Sequence, residues 1–210
     1  MRARQAALIE TLLPALTLDV SEKIADAAAL FPQKPFDIWL EIGFGGGEHL
    51  IAEAQAHRDC GFIGCEPFEN GVAKALAQAE AVGATNVRLY QGDAGAVIEA
   101  LPASALSGVT LLYPDPWPKR RHHKRRFLSD EMLVELARAM RPGAEIRFAT
   151  DIDDNAGWTL ARVLRAKDFI WRASSAGDWR EPWPGWTGTR YEAKALAAGR
   201  KPVYLTFVRK

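Results

Sequence analysis

Phe36-Asp37-Ile38-Trp39-Leu40-Glu41-Ile42 leads into Gly43-Phe44-Gly45-Gly46-Gly47 and then Glu48-His49-Leu50-Ile51. The first seven residues read as a strand, the glycines as a tight turn, and Glu48 to about His57 as a helix. Gly61-Phe62-Ile63-Gly64-Cys65-Glu66 reads as a second strand that ends on an acid. A strand, a glycine turn and a helix, with an acid closing the next strand, is the plan of a nucleotide-binding α/β unit.

The pattern continues outward from this unit. A helix is expected over 69–81, a strand over 86–91 and a short helix over 94–101. A strand then ends at Tyr113. An amphipathic helix over 129–140 is expected to stop at Pro142-Gly143. Next come a strand over 144–150, a helix over 154–166 and a strand over 169–171. Residues 174–190, rich in Gly, Pro and Trp, read as loop, and 202–208 as a last strand. Strands alternating with helices predict a mostly parallel seven-stranded sheet with helices on both faces. Residues 1–35 read as an N-terminal helical segment packing on that sheet. Its apolar stripe of Leu8, Ile9, Leu12, Leu13 and Leu16 breaks near Pro14, and Ser21 caps a second short helix. The chain, 1–210, is read as a single domain.

Composition narrows the classes of function. With 48% hydrophobic and 25% charged residues this is an ordinary globule, and the net charge is only +1. A basic surface must therefore be local. Cys60 and Cys65 make no C-x-x-C pair, so reduced thiols and a cytoplasmic location are expected. No apolar run is long enough to span a bilayer, and Glu10 interrupts the apolar stretch that a signal peptide would need.

The glycine turn departs from the dinucleotide fingerprint. A third glycine would stand at position 48, where Glu48 is found. An acid at a helix N-terminus disfavours pyrophosphate. The pattern is instead E-x-G-x-G-x-G, from Glu41, Gly43, Gly45 and Gly47. It favours a cofactor without phosphates, and S-adenosylmethionine fits. Glu66 is placed to accept from the ribose diol, Glu41 to meet the ammonium of the amino-acid tail, and Asp93 to accept from the adenine amino group.

The local basic surface follows the fourth strand. Tyr113-Pro114-Asp115-Pro116-Trp117-Pro118 leads into Lys119-Arg120-Arg121-His122-His123-Lys124-Arg125-Arg126. Three prolines forbid helix and ladder pairing, so Asp115 sits on a stiff loop at a strand's C-terminal end. That edge is where ligands bind in open α/β sheets. One acid beside eight cationic or titratable side chains points to chemistry on a polyanion. Adjacent histidines among cations repel a divalent ion, so no metal site is read there. Trp171, Trp179, Trp183 and Trp186 are candidates for stacking on nucleotides, with Trp171 better suited to the core.

At these residues the chain resembles the bacterial tRNA (guanine-N7)-methyltransferases. The resemblance covers nearly all of 36–208. It rests on E-I-G-F-G-G-G at 41–47, G-C-E-P at 64–67, Gln91-Gly92-Asp93, P-D-P-W-P-K-R-R-H-H-K-R-R at 114–126, Thr150-Asp151 and T-R-Y-E-A-K-A-L at 189–196. It implies a class I S-adenosylmethionine-dependent methyltransferase (Rossmann-like) fold and methylation of N7 of a guanine in the tRNA variable loop. Cofactor contacts are implied from Glu41, Glu66, Asp93 and Asp115, with Asp115 as the active-site acid. Substrate contacts are implied from Lys119, Asp151, Thr189, Arg190, Tyr191 and Glu192. Arg121, His122, His123, Lys124, Arg125 and Arg126 are implied to touch RNA. The family often carries a further basic segment ahead of the first helix. This chain starts Met1-Arg2-Ala3-Arg4, which leaves the N-terminus's share of tRNA binding unassigned. Both a monomer and a homodimer are compatible with the sequence.

Guanine N7 has a free lone pair, so no base must remove a proton before attack. The site must orient N7 and stabilise positive charge arriving in the purine. Asp115, Asp151 and Glu192 are the acceptors available to the base, and the sequence does not rank them. Without the resemblance, Asp151 reads as a helix cap and Glu192 as a surface acid. Two rival readings stay open. One is methylation of an exocyclic base amine, since P-D-P-W partly echoes a Pro-Pro-aromatic motif. The other is a non-catalytic tRNA-binding subunit, against which the complete set of acids argues.

Overall fold

The structure is a computed structural model that describes residues 3–210. The expected helix start at Met1 and Arg2 lies outside the described residues. Seven strands form one sheet: β1 (Ile38–Ile42), β2 (Gly61–Cys65), β3 (Val87–Tyr90), β4 (Leu106–Leu112), β5 (Met140–Thr150), β6 (Phe169–Trp171) and β7 (Val203–Arg209). Their spatial order is β3-β2-β1-β4-β5-β7-β6. All neighbours pair in parallel except β7, which runs antiparallel to both β5 and β6. The chain winds from β1 outward to β3, then returns to place β4 on β1's other side. That reversal opens a crevice at the C-terminal ends of β1 and β4.

Side chains alternate across the sheet and so fill two layers. Ile38, Leu40 and Ile42 of β1 pack in one cluster with Ile63, Val109, Leu111, Ile146 and Phe148. Helices α5 (Ala94–Ala100) and α6 (Asp130–Ala139) cover that side through Val97, Ile98, Leu133 and Leu136. The other layer gathers Phe62, Val87 and Leu89 under α3 (Glu48–Ala56) and α4 (Glu69–Val82). The N-terminal helices α1 (Ala3–Thr11) and α2 (Leu13–Leu16) add Leu8 and Leu16 to it. The remaining helices are α7 (Asp153–Val163), α8 (Gly177–Arg180) and α9 (Arg190–Ala197).

Three local expectations are corrected. Ser21 caps no helix: its N–H donates to Asp19 Oδ1 at 2.8 Å, an Asx-type turn that holds the backbone out of a helix. The next helical turn is a 3-10 turn at Ala28–Leu30. Pro142-Gly143 does not stop α6, which ends at Ala139, and β5 already begins at Met140. Met140 pairs with Leu106 and Glu145 with Gly108, so an irregularity absorbs the Pro-Gly pair within the strand. Residues 174–190 are not wholly loop, because α8 lies inside them.

Candidate active site

The glycine turn is shaped by backbone geometry that only glycine adopts without strain. Gly43, Gly45 and Gly47 have φ of 70°, 58° and 83°. The turn is tied to the end of β2: Gly43 N–H donates to the Cys65 carbonyl at 2.8 Å, and Gly45 N–H to Glu66 Oε2 at 2.8 Å. Gly71, in the first turn of α4, stands so close that an added Cβ would lie 2.3 Å from the Gly45 carbonyl oxygen. Gly47 caps α3 and packs on Ala75, away from the crevice.

A cleft of about 630 Å³ opens over this turn. Gly43, Gly45, Glu66, Asp93 and Asp115 line it, together with Arg125, Arg190 and Tyr191. Glu66 is 5% exposed. It accepts from Gly45 N–H and from Phe68 N–H at 3.1 Å, which leaves acceptor capacity toward the cleft. Asp93 caps α5 by accepting from Gly95 N–H at 2.7 Å with one oxygen, and its other oxygen has no partner among the described residues. Asp115 is exposed at the rim and forms no hydrogen bond or ion pair among the described residues. The loop carrying it starts at Tyr113, whose N–H donates to the Ala149 carbonyl at 2.8 Å. Tyr113 and Trp117 both hold left-handed backbone, with φ of 50° and 43°. Two such non-glycine residues around one acid mark a loop forced into shape by its surroundings.

Part of that force comes from Arg126, which the resemblance assigns to RNA. It is instead 4% exposed. Its Nε donates to the Pro116 carbonyl at 2.9 Å, and Nη2 pairs with the Asp154 carboxylate at the start of α7. The guanidinium also lies 5.4 Å from the centroid of the Trp158 ring. Arg126 therefore braces the Asp115 loop. The Arg126 hydrogen bond holds the Asp154 carboxyl below the usual carboxylate range. The rest of the basic run forms a 3-10 turn, Arg120–Arg125. Lys119, Arg121 and Lys124 are exposed there, while His122 and His123 are half-buried. Arg125 is exposed as well, and its guanidinium lies 4.8 Å from the Trp117 ring centroid at the cleft wall.

The acids expected to hold the base differ sharply from Asp115. Glu192 is not a surface acid but 7% exposed. It accepts from Trp186 Nε1 at 2.6 Å, from the Tyr204 hydroxyl, and from Thr189 N–H at 3.3 Å. Thr189 returns the bond by capping α9, its hydroxyl accepting from Glu192 N–H at 3.1 Å. Most of the acceptor capacity of Glu192 is thus taken by its own fold, and the Thr189 hydroxyl is committed as an acceptor to the helix cap. Asp151 pairs with Arg200 and caps no helix. Of the T-R-Y-E residues, only Arg190 and Tyr191 line the cleft. Glu41 is also displaced. It points away from the cleft, on the Trp39 side of β1, and its Oε2 lies 2.6 Å from His49 Nδ1. Strand alternation from the apolar Leu40 could have revealed this.

A family model described as "Putative methyltransferase" matches residues 36–205. A protein of Rhodopseudomonas palustris (strain BisB5) called tRNA (guanine-N(7)-)-methyltransferase is 53% identical over 210 residues, covering 100% of this chain and 82% of that one. One of the same name from Bradyrhizobium diazoefficiens is 51% identical, covering 100% of this chain and 89% of that one. The chain belongs to this methyltransferase family. The resemblance read from the motifs is borne out, and so is the class I fold. A solved 16S rRNA methyltransferase, KamB, superposes with a TM-score of 0.62 at 20% identity, over 89% of this chain and 94% of that one. TrmN from Thermus thermophilus superposes with a TM-score of 0.59 at 13% identity, over 84% of this chain and 45% of that one.

Among the cleft residues that sequence reasoning did not assign are Phe68, Asn70 and Lys74. Phe68 is 71% exposed directly after Glu66-Pro67. A large apolar residue at a helix start, just beyond the ribose-type acid, was the available signal. Trp183 and Trp186 are engaged with neighbouring rings: they lie 5.4 Å from each other, Trp183 lies 5.4 Å from Tyr204, and Trp186 lies 5.2 Å from His49, centroid to centroid.

Proposed function

We propose that this protein transfers the methyl group of S-adenosylmethionine to N7 of a guanine in the variable loop of tRNA, and that it acts in the cytoplasm. The observation that carries this reading is one cleft with three acids, Glu66, Asp93 and Asp115, from the ends of three parallel strands, with an exposed cationic turn after the third. The relatives' shared name supplies the substrate. Among the described residues no helix is long and apolar enough to cross a membrane. Residues 1–210 are taken as one methyltransferase domain, with 1–35 as its N-terminal segment. The burial of Leu8 and Leu16 in the α3–α4 layer supports that division.

The residues fit the cofactor. A buried carboxylate with spare lone pairs suits a ribose diol, and the close Gly45–Gly71 approach leaves a smooth backbone wall beside it. When bound, the cofactor supplies an electrophilic methyl on a sulfonium centre. Glu66 and Asp93 would hold its nucleoside end. Asp115, unpaired at the rim, would face the purine and offset the positive charge that N7 acquires. No side chain has to take a proton from N7, so the acid acts by charge and orientation. Lys119, Arg121 and Lys124 would meet phosphates and orient the RNA without reading sequence. Arg190 and Tyr191 would form the opposite wall.

The test is labelled methyl transfer from S-adenosylmethionine to bulk tRNA by the protein alone, followed by mapping of the modified nucleotide. N7 methylation leaves a fixed positive charge and a scission-prone glycosidic bond. Label that resists such scission would move the reading to an exocyclic amine. Absence of transfer would leave a binding subunit.

A further inference from the structure

The sheet carries a polar row on the face opposite Leu40. Glu41, Thr110, Arg147 and Thr206 stand in register on β1, β4, β5 and β7. In-register neighbours share a face, so these four form a belt across the middle of the sheet. Residues 183–192 lie over it as a strap. Trp183 Nε1 donates to Thr206 Oγ1 at 2.9 Å, and the Arg147 guanidinium lies 6.0 Å from the Trp183 ring centroid. Trp186 sits on His49, ring centroids 5.2 Å apart. His49 in turn stands on Glu41, Nδ1 to Oε2 at 2.6 Å, with side chains only 10% and 7% exposed.

The strap also makes one wall of the cleft. A Cβ added to Gly45 would lie 3.3 Å from Arg190 Nη2 and 3.5 Å from the Tyr191 ring. Trp186 is fastened to this wall through Glu192, the acceptor of its Nε1–H. A continuous set of contacts therefore runs from Glu41 through His49, Trp186 and Glu192 to the helix bearing Arg190 and Tyr191.

We propose that Glu41 and His49 form a charged seat that holds residues 183–192 against the glycine turn, so that Glu41 positions the substrate wall and does not bind the cofactor. This rests on the function proposed above for what the wall receives. The seat itself needs only the contacts. It also titrates. Burial works against a charge on His49, but the charge and hydrogen bond of Glu41, aided by Glu53, outweigh burial and the opposing Arg147, and its pKa is raised. The charged and titratable groups around His49 are Glu41 on β1, Glu53 on its own helix and Arg147 on β5, with His57 lining the same cavity and lying 3.9 Å from Glu53, and the neutral Thr110 and Trp186 beside them. A histidine with a raised pKa stabilises fully below its unfolded value, and loses that contribution as pH rises through the folded value. The seat is therefore fully held below the ordinary histidine pKa and released as pH rises through the raised one.

Amide hydrogen exchange over 183–192 in the whole protein reads the seat without any substrate. Wild-type protection factors are expected to fall as pH rises through the His49 transition. The double variant Glu41→Gln/His49→Gln should show lower protection with no such pH step. Trp186→Phe keeps an aromatic ring but removes the donor to Glu192, and it should lower protection even if the double variant fails to fold. In calorimetry, Glu41→Gln should hold S-adenosylmethionine affinity within about two-fold, while the KM for tRNA rises by about ten-fold, the equivalent of one charge-assisted hydrogen bond. Unchanged protection in the Trp186 and Glu41 variants would overturn the seat. So would a ten-fold loss of cofactor affinity in Glu41→Gln, roughly 1.4 kcal/mol, which would return Glu41 to the cofactor. Failure of the wild type to methylate tRNA would sink the proposed function and leave the exchange result standing.

Discussion

The two sides of the cleft use their acids in opposite ways. On the β2–β3 side, Glu66 is buried yet takes only two backbone donors, and Asp93 commits one oxygen to a helix cap. Each keeps lone pairs for a ligand. On the β5–β7 side, Glu192 is as buried as Glu66 but accepts from three donors, and Asp151 is bound to Arg200. A carboxylate has about four acceptor positions. Between Glu66 and Glu192 the difference is the number of donors already aimed at the carboxylate, not its burial, while Asp151, held by Arg200, keeps acceptor positions of its own. Asp115 stands between the two sides with no partner among the described residues.

The largest effect should fall there. Asp115→Asn keeps size and loop shape but removes the charge. The loss should appear in kcat, with a smaller change in KM for tRNA, because the charge is needed chiefly in the transition state. Single-turnover transfer at saturating cofactor and tRNA should slow by about 10²–10³. A wild-type rate would mean that an acid on the strap side does the work despite its internal bonds.

Next is Glu66→Ala, which should weaken S-adenosylmethionine binding by about 1.5–3 kcal/mol, the range for hydrogen bonds to a charged group. It also frees Gly45 N–H, so part of that loss is turn disorder. Glu66→Gln separates the two, because an amide oxygen can still accept from Gly45. Equal calorimetric affinity in wild type and Glu66→Ala would place the ribose elsewhere.

Glu192→Gln tests the other side. An amide offers one acceptor oxygen where Trp186, Tyr204 and Thr189 present three donors. Folding stability should drop by about 1–2 kcal/mol in denaturant titration. Cofactor affinity should not change. Stability equal to wild type, with a tRNA KM raised many-fold, would restore Glu192 to direct base recognition.

This contrast explains what could be read from the sequence. The sheet and the cofactor side were legible because alternation, glycine turns and strand-end acids are local signals. Ile42 and Gly43 point the turn at the crevice wherever the rest of the chain goes. The strap side was not legible. Whether Glu192 is free depends on Trp186 and Tyr204, and Tyr204 arrives from a strand beyond the helix. Arg126 reads as the end of a cationic run, yet its three hydrogen bonds go to Pro116 and Asp154, ten and twenty-eight positions away. Glu41 could have been placed better, since its parity with Trp39 put it on the face opposite Leu40.

The smallest expected effect distinguishes members of the basic run from one another. Arg121 and Lys124 are exposed on the 3-10 turn, whereas Arg126 is enclosed. If the turn meets phosphates, Arg121→Ala/Lys124→Ala should weaken tRNA binding modestly. The slope of log affinity against log salt should fall by about 0.7–0.9 for each phosphate left without its cation. Cofactor affinity and thermal stability should stay as they are. Arg126→Ala should behave in the opposite way. It removes the brace between Pro116 and Asp154, so the melting temperature should fall while the salt slope holds. Asp154 is 62% exposed, so most of its side of the ion pair is screened by water. The stability loss should then come mainly from the donors to the Pro116 and Asp154 carbonyls and from packing on Trp158. A salt slope that drops for Arg126→Ala and holds for the Arg121/Lys124 pair would reverse the assignment, and would mean that the loop opens to bring Arg126 to the RNA.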